Sequence, residues 1–133
     1  MIVVDTNIVA YYFISGPSTH ISESIRQKDS DWIAPHLWKS EFLSVLSKYL
    51  VAKQLNFNQA VAVFKEAMGI FQDAEYLSDP SKVLSLILES SCSSYDCEFV
   101  SLAQEKNIFF ITADKKIVSS FPDTAILAAE FIR

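Results

Sequence analysis

The chain has 133 residues, 50% of them apolar, 20% charged, with only 2 Gly and 4 Pro; this suits one globular domain and excludes a disordered or low-complexity segment. The formal net charge of -5 argues against a domain that grips nucleic acid by bulk positive charge, but leaves room for an enzyme whose acids gather around cations. No apolar run is long enough to span a bilayer, and no secretory signal opens the chain, so a cytoplasmic protein is expected.

The opening run Ile2-Val3-Val4 predicts a buried strand of a parallel sheet, ending at Asp5. Ligands of open α/β sheets bind beyond the carboxyl ends of such strands, which makes Asp5 a site candidate. It is equally a candidate helix cap. A short apolar helix from Asn7 to Ile14 ends at Ser15-Gly16-Pro17. A second helix is predicted over about Ser18 to Lys28, then a brief strand at Trp32-Ile33-Ala34, with Pro35 opening the next helix.

That helix, about His36 to Lys53, carries Leu37, Trp38, Phe42, Val45, Leu46, Tyr49 and Leu50 in a wide apolar stripe. Glu41 lies on its border. A carboxylate there needs a partner, either a lysine such as Lys39 or Lys48, or a bound cation. A helix over about Asn58 to Phe71 is apolar more broadly than a surface helix needs, as a core element or as a partner surface. Glu75 to Leu77 reads as a short strand, and Asp79-Pro80 starts a helix running to about Ser90.

In Ser94 to Ala103 a helix turns Phe99, Leu102 and Ala103 to the core. Asp96 sits in its first turn, at capping-box spacing from Ser93. The stretch Asn107 to Asp114 repeats the opening: an apolar strand, Thr112, then Asp114 at the start of a short helix. A last strand, Thr124 to Leu127, precedes a C-terminal helical turn. Cys92 and Cys97 lack zinc-site spacing and read as buried thiols. His20 and His36 read as structural.

Asp5, Glu41, Asp96 and Asp114 thus each have a local explanation, but four carboxylates at buried edges around one sheet would repel one another without a cation. Oxygen-only ligands favour Mg²⁺ or Mn²⁺ over zinc. Such a cluster suits metal-assisted hydrolysis of a phosphodiester.

The order and spacing of these segments resemble the PIN-domain ribonucleases, especially the VapC-type toxins of toxin–antitoxin pairs. The resemblance rests on Val3-Val4-Asp5-Thr6-Asn7, Glu41 in a helix after Pro35, Tyr95-Asp96-Cys97-Glu98-Phe99-Val100-Ser101-Leu102-Ala103, and Ile111-Thr112-Ala113-Asp114. It covers essentially the whole chain. It implies a single domain over 1–133 with a three-layer α/β/α sandwich around a mainly parallel sheet. It implies endonucleolytic cleavage of RNA, with Asp5, Glu41, Asp96 and Asp114 binding Mg²⁺ or Mn²⁺. Asn7 and Thr112 would orient Asp5 and Asp114 by hydrogen bonds. It also implies a homodimer and a small antitoxin that wraps a hydrophobic groove and sends a basic side chain toward the acids. Lys39, Lys115 and Lys116 are the cations adjacent in sequence to these acids.

Two rivals stand beside this reading. One is a catalytically silent PIN-like interaction module, held by a partner through the helix of Val61 to Phe71. The other is a phospho-acceptor domain built on Asp5; aspartyl phosphotransferases usually place a second Asp two residues on, where this chain has Asn7.

Overall fold

The computed structural model describes every residue from Met1 to Arg133. Five short strands, β1 (Ile2–Val4), β2 (Trp32–Pro35), β3 (Glu75–Tyr76), β4 (Phe110–Thr112) and β5 (Ala125–Leu127), form one sheet in the order β3-β2-β1-β4-β5. Every neighbouring pair is parallel. Such a sheet needs a crossover between strands; seven of the eight helices lie in those crossovers, and together the helices cover both faces. They are α1 (Thr6–Phe13), α2 (Thr19–Lys28), α3 (Trp38–Val51), α4 (Phe57–Phe71), α5 (Pro80–Glu89), α6 (Ser94–Lys106), α7 (Lys115–Ser120) and α8 (Ala128–Phe131).

Helices α1 to α4 pack on one another, with α4 on β2. On the other face α6 lies across β1, β2 and β4, and α7 covers β4 and β5. The result is a three-layer α/β/α sandwich. From β1 the chain winds outward to β2 and β3, whereas from β4 it winds the other way to β5. The gap between the carboxyl ends of β1 and β4 is therefore the switch point of the sheet, where open α/β folds bind ligands.

Central strands β1 and β4 are fully buried, as their apolar runs require. One cluster of 29 buried residues joins the layers. Its aromatic part is Trp38, set against Phe42, Phe64 and Phe71 with centroid separations of 5.9, 6.1 and 4.6 Å. The Trp38 indole N–H donates to Glu75 Oε1 at 2.8 Å, so its polar edge is satisfied.

Two boundaries differ from expectation. Pro35 ends β2 instead of opening a helix, and α3 begins at Trp38. The N–H groups of Ala34 and His36 go to the carbonyls of Ala74 and Tyr76. The missing donor of Pro35 thus lies on the β1 side, at the last residue of β2, where the β1–β2 ladder ends. Strand β4 starts only at Phe110, because α6 runs on to Lys106 and stops through Asn107 in the left-handed conformation at φ 56°. The thiols of Cys92 and Cys97 are free and buried.

Phe71→Ala removes the ring that packs closest to Trp38, in a site that is 1% exposed. It is expected to cost about 3–5 kcal/mol, whereas Leu88→Ala, at a position 90% exposed, should stay within about 0.5 kcal/mol. Urea denaturation of the two variants beside the wild type checks this.

Candidate active site

A cleft of about 250 Å³ opens at the switch point. Asp5, Asn7, Glu41, Asp96, Thr112 and Asp114 all line it, with Thr6, Ser44 and Lys48. The parallel sheet delivers Asp5 and Asp114 directly after β1 and β4. Glu41 comes from the first turn of α3 and Asp96 from the first turn of α6.

Each acid has a structural duty that uses part of its carboxylate. Asp5 caps α1, its Oδ1 accepting from Ile8 N at 2.9 Å. Its Oδ2 accepts from the Thr112 hydroxyl at 2.5 Å and from Ala113 N at 3.1 Å. The same hydroxyl accepts from Asp114 N at 3.1 Å. Asp114 caps α7, its Oδ1 accepting from Lys116 N at 2.9 Å. Asp96 and Ser93 form a capping box, in which Asp96 Oδ2 accepts from Ser93 N. Glu41 Oε1 accepts from the Thr6 hydroxyl at 2.8 Å. The capping roles and the convergence on one cleft therefore coexist. They leave Glu41 Oε2, Asp96 Oδ1 and Asp114 Oδ2 without a donor from the chain.

None of the four acids has a cationic partner among the ion pairs of the chain. Lys39, one of the lysines that could have neutralised Glu41, instead lies 3.2 Å from Glu75, beside His36 at 3.3 Å. The consequence is visible in the acids themselves. Burial raises the Asp5 carboxyl above its ordinary range, against the Thr112 hydroxyl and the N–H groups of Ile8, Ala113 and Asn7. Burial also raises Glu41; the Thr6 hydroxyl opposes this, and the charges of Asp96, Asp5 and Glu98 add to it. Glu98 itself is turned away to Ser78, whose hydroxyl donates to it at 2.5 Å.

The supporting residues differ in part from expectation. Thr112 holds both strand ends, as described. The Asn7 side chain is exposed and makes no hydrogen bond to Asp5; the first turn of α1 turns Thr6 inward in its place, toward Glu41. Sequence reasoning overlooked Thr6 because its partner lies 35 residues away. The four acids line one cleft, but no three His, Cys, Asp or Glu side chains stand close enough together to form a ready-made metal cage.

A raised carboxyl binds its proton more tightly in the folded chain than in the unfolded one. Stability is therefore lost as pH rises from the ordinary carboxylate value through the raised one. Glu41→Gln keeps the acceptor for Thr6 and removes that loss. In EDTA the variant is expected to melt a few degrees above the wild type at neutral pH. The difference should close as pH falls below the ordinary carboxylate range, and calorimetry across pH measures it.

The sequence profile of the PIN domain matches residues 2–126. No protein of curated function matches the chain significantly. Among solved structures, the chain is similar to PAE2754 from Pyrobaculum aerophilum, with 18% identity and a TM-score of 0.71 over 98% of this chain and 92% of that one. It is also similar to FitAcB from Neisseria gonorrhoeae, with 12% identity and a TM-score of 0.76 over 97% and 99%. A third likeness is to FitAB bound to an IR36 DNA fragment, with 13% identity and a TM-score of 0.72 over 96% and 95%. At these identities the structures speak for the fold alone, but the profile spans nearly the whole length, and the chain belongs to the PIN domain family.

Proposed function

We propose that the chain, as a single domain over 1–133, is an Mg²⁺- or Mn²⁺-dependent endoribonuclease and the toxin component of a VapC-type toxin–antitoxin pair. The observation that carries this reading is the gathering of four carboxylates at the switch point with no cationic side chain paired to any of them. Such a cluster is costly in a protein that makes no use of it.

The donor set fits a hard cation. All the donors are oxygens, and Mg²⁺ takes one or two carboxylates and keeps several waters, so it needs no closed cage. Asp5, Glu41, Asp96 and Asp114 would hold it. A cation held there would supply Lewis-acid polarisation of a phosphodiester and lower the pKa of a water. The chain's own residues set the geometry. Thr112 and Ala113 fix Asp5, Thr6 fixes Glu41, the capping box with Ser93 fixes Asp96, and the cap bond from Lys116 N fixes Asp114.

A protein partner has a place as well. Leu43, Leu46, Leu50, Phe57, Val61 and Phe64 line an apolar groove between α3 and α4, with Phe57 72% exposed. An antitoxin or a second copy in a homodimer would bury this surface. FitAB, similar in fold, is bound to an IR36 DNA fragment. A net charge of -5 favours such a partner over this chain as the source of a bulk electrostatic grip on DNA. A catalytically silent interaction module would use the same groove, but would have no need of the unpaired acids.

Cleavage of a mixed pool of structured and single-stranded RNAs, with Mg²⁺, Mn²⁺ or EDTA, tests the proposal. Cutting is expected with either metal and not with EDTA. Asp96→Asn keeps the acceptor for Ser93 and removes the charge, and should lower the rate by roughly 100-fold or more, beyond the 10–100-fold lost with a single metal-orienting partner. Folded, partner-free protein that cuts no RNA under any metal would favour the interaction module.

A further inference from the structure

The start of α6 carries two thiols besides Asp96. Ser93 is the N-cap of this helix, so Cys92 stands just before the cap and Cys97 at the fourth helical position. Side chains at those two positions pack on each other across a capping box, as a hydrophobic staple. Both cysteines are free, 5% and 0% exposed, and belong to one core cluster. The Ser90 hydroxyl sits between them: it accepts from Cys92 N at 3.3 Å and lies 4.0 Å from Cys97 Sγ. The two thiols are near enough for the charge of Cys92 to act on Cys97. A staple needs only apolar bulk, which any aliphatic side chain supplies. Here both halves are groups that can bond to each other.

The two halves are held differently. Cys97 is fixed in a helix that packs on β1, β2 and β4. Cys92 lies in the short link between α5 and α6, and its neighbours Ser91 and Ser93 are exposed. Such a link opens locally at less cost than the whole fold, so Cys92 is the thiol that meets a small oxidant first. Sulfurs in nonbonded contact lie about 4 Å apart, and a disulfide brings them to about 2 Å. With Cys97 anchored, most of that movement falls on Cys92 and on Ser93, the residue joined to it. Ser93 N is the donor that holds Asp96 Oδ2, at 3.4 Å, whereas the return bond from Asp96 N to Ser93 Oγ is 3.1 Å. Closing the thiols therefore strains the weaker half of the cap, and that half is the one that aims Asp96.

We propose that Cys92 and Cys97 are a thiol–disulfide switch set across the first turn of α6, and that its oxidation frees Asp96 from Ser93 and weakens the hold of the acidic cleft on a divalent cation. The oxidant is a hydroperoxide. Hydrogen peroxide transfers one oxygen to the Cys92 sulfur, giving a sulfenic acid and one water. The Cys97 sulfur then displaces that oxygen as a second water and forms the S–S bond. The two thiols lose two electrons and two protons, and the peroxide takes them up. A dithiol reverses the change by exchange. The effect on the cation rests on the nuclease reading; the effect on Ser93 does not.

The test compares the folded chain treated with hydrogen peroxide and the same chain kept in a dithiol, both then moved to plain buffer. Alkylation in denaturant followed by mass spectrometry counts two free thiols in the reduced protein and none in the oxidised one, with no bond between chains. Hydrogen exchange read by NMR is expected to be roughly 10-fold faster at the Ser93 amide of the oxidised form and unchanged in β1. Calorimetric titration with Mn²⁺ should give an affinity about 10-fold lower, the small end of what loss of a metal-orienting partner costs. Dithiothreitol restores both. Cys92→Ala and the bulkier Cys92→Val, which keep the fold by different fillings of the staple, show the reduced values after peroxide. Thiols that stay free, a bond between chains, oxidation past the disulfide to a sulfinic acid, or a disulfide that leaves Ser93 exchange unmoved overturns the proposal. Faster exchange at Ser93 while neither form binds Mn²⁺ would retain the switch at the cap and discard the cation of the nuclease reading. Equal Mn²⁺ binding by both forms would retain that reading and discard the switch.

Discussion

The hydroxyl of Thr112 is the contact on which the rest of the site depends. It donates to Asp5 at the end of β1 and accepts from the backbone of Asp114 at the end of β4. Those two strands are where the chain begins to wind in opposite directions. One oxygen therefore fixes the separation and orientation of two acids whose residues are more than a hundred positions apart. It also lowers the cost of burying Asp5, which desolvation makes reluctant to ionise. Without it, Asp5 would keep only backbone donors, and the start of α7 would lose one of the bonds that tie it to the sheet. Valine, of similar shape, would fill the same space and supply neither bond.

Capping and catalysis are often weighed as competing explanations for an acid at a helix start. In this fold the cap is what aims the carboxylate. A carboxylate has two oxygens and several lone pairs. Asp96 and Asp114 each give one oxygen to a backbone N–H of their own helix and keep the other for the cleft. The helix dipole favours the negative charge at the same place. Glu41 reaches the equivalent state through a side chain, the Thr6 hydroxyl. The acids are held firmly without being neutralised, and a rigid cluster of unpaired charge is an arrangement that a bound cation would relieve.

Local rules were enough to read much of this from the chain. The burial of β1, the helix start at Asp79-Pro80 and the capping box at Ser93 follow from residues next to one another. The convergence of the four acids was legible because the carboxyl ends of parallel strands meet at one edge. What sequence could not resolve depends on partners brought together by packing. Lys39 and Lys48 are both cations near Glu41 in sequence, yet helix rotation turns one to Glu75 and the other to the cleft. Asn7 and Thr6 are adjacent polar residues, and only the docking of α1 against α3 shows that Thr6 is the one that meets Glu41. Pro35 carried a helix-start signal, which pairing with β3 overrode, the N–H groups of Ala34 and His36 on either side of it going to Ala74 and Tyr76.

An acidic chain acting on a polyanion must draw its affinity from few sources. With five more acids than bases, its far field repels RNA, and encounter gains nothing from steering. Under the proposed reading, attraction is confined to the cleft, where a divalent ion would reverse the sign of the local field. Contacts beyond the ion must then be short-ranged and selective. Such an arrangement gives weak hold on nucleic acid in general and stakes binding on the few nucleotides that fit. It also explains why the acids need to be preorganised. Where the whole surface does not gather the substrate, the site cannot rely on it to assemble the carboxylates, and the sheet, the caps and Thr112 must do so beforehand.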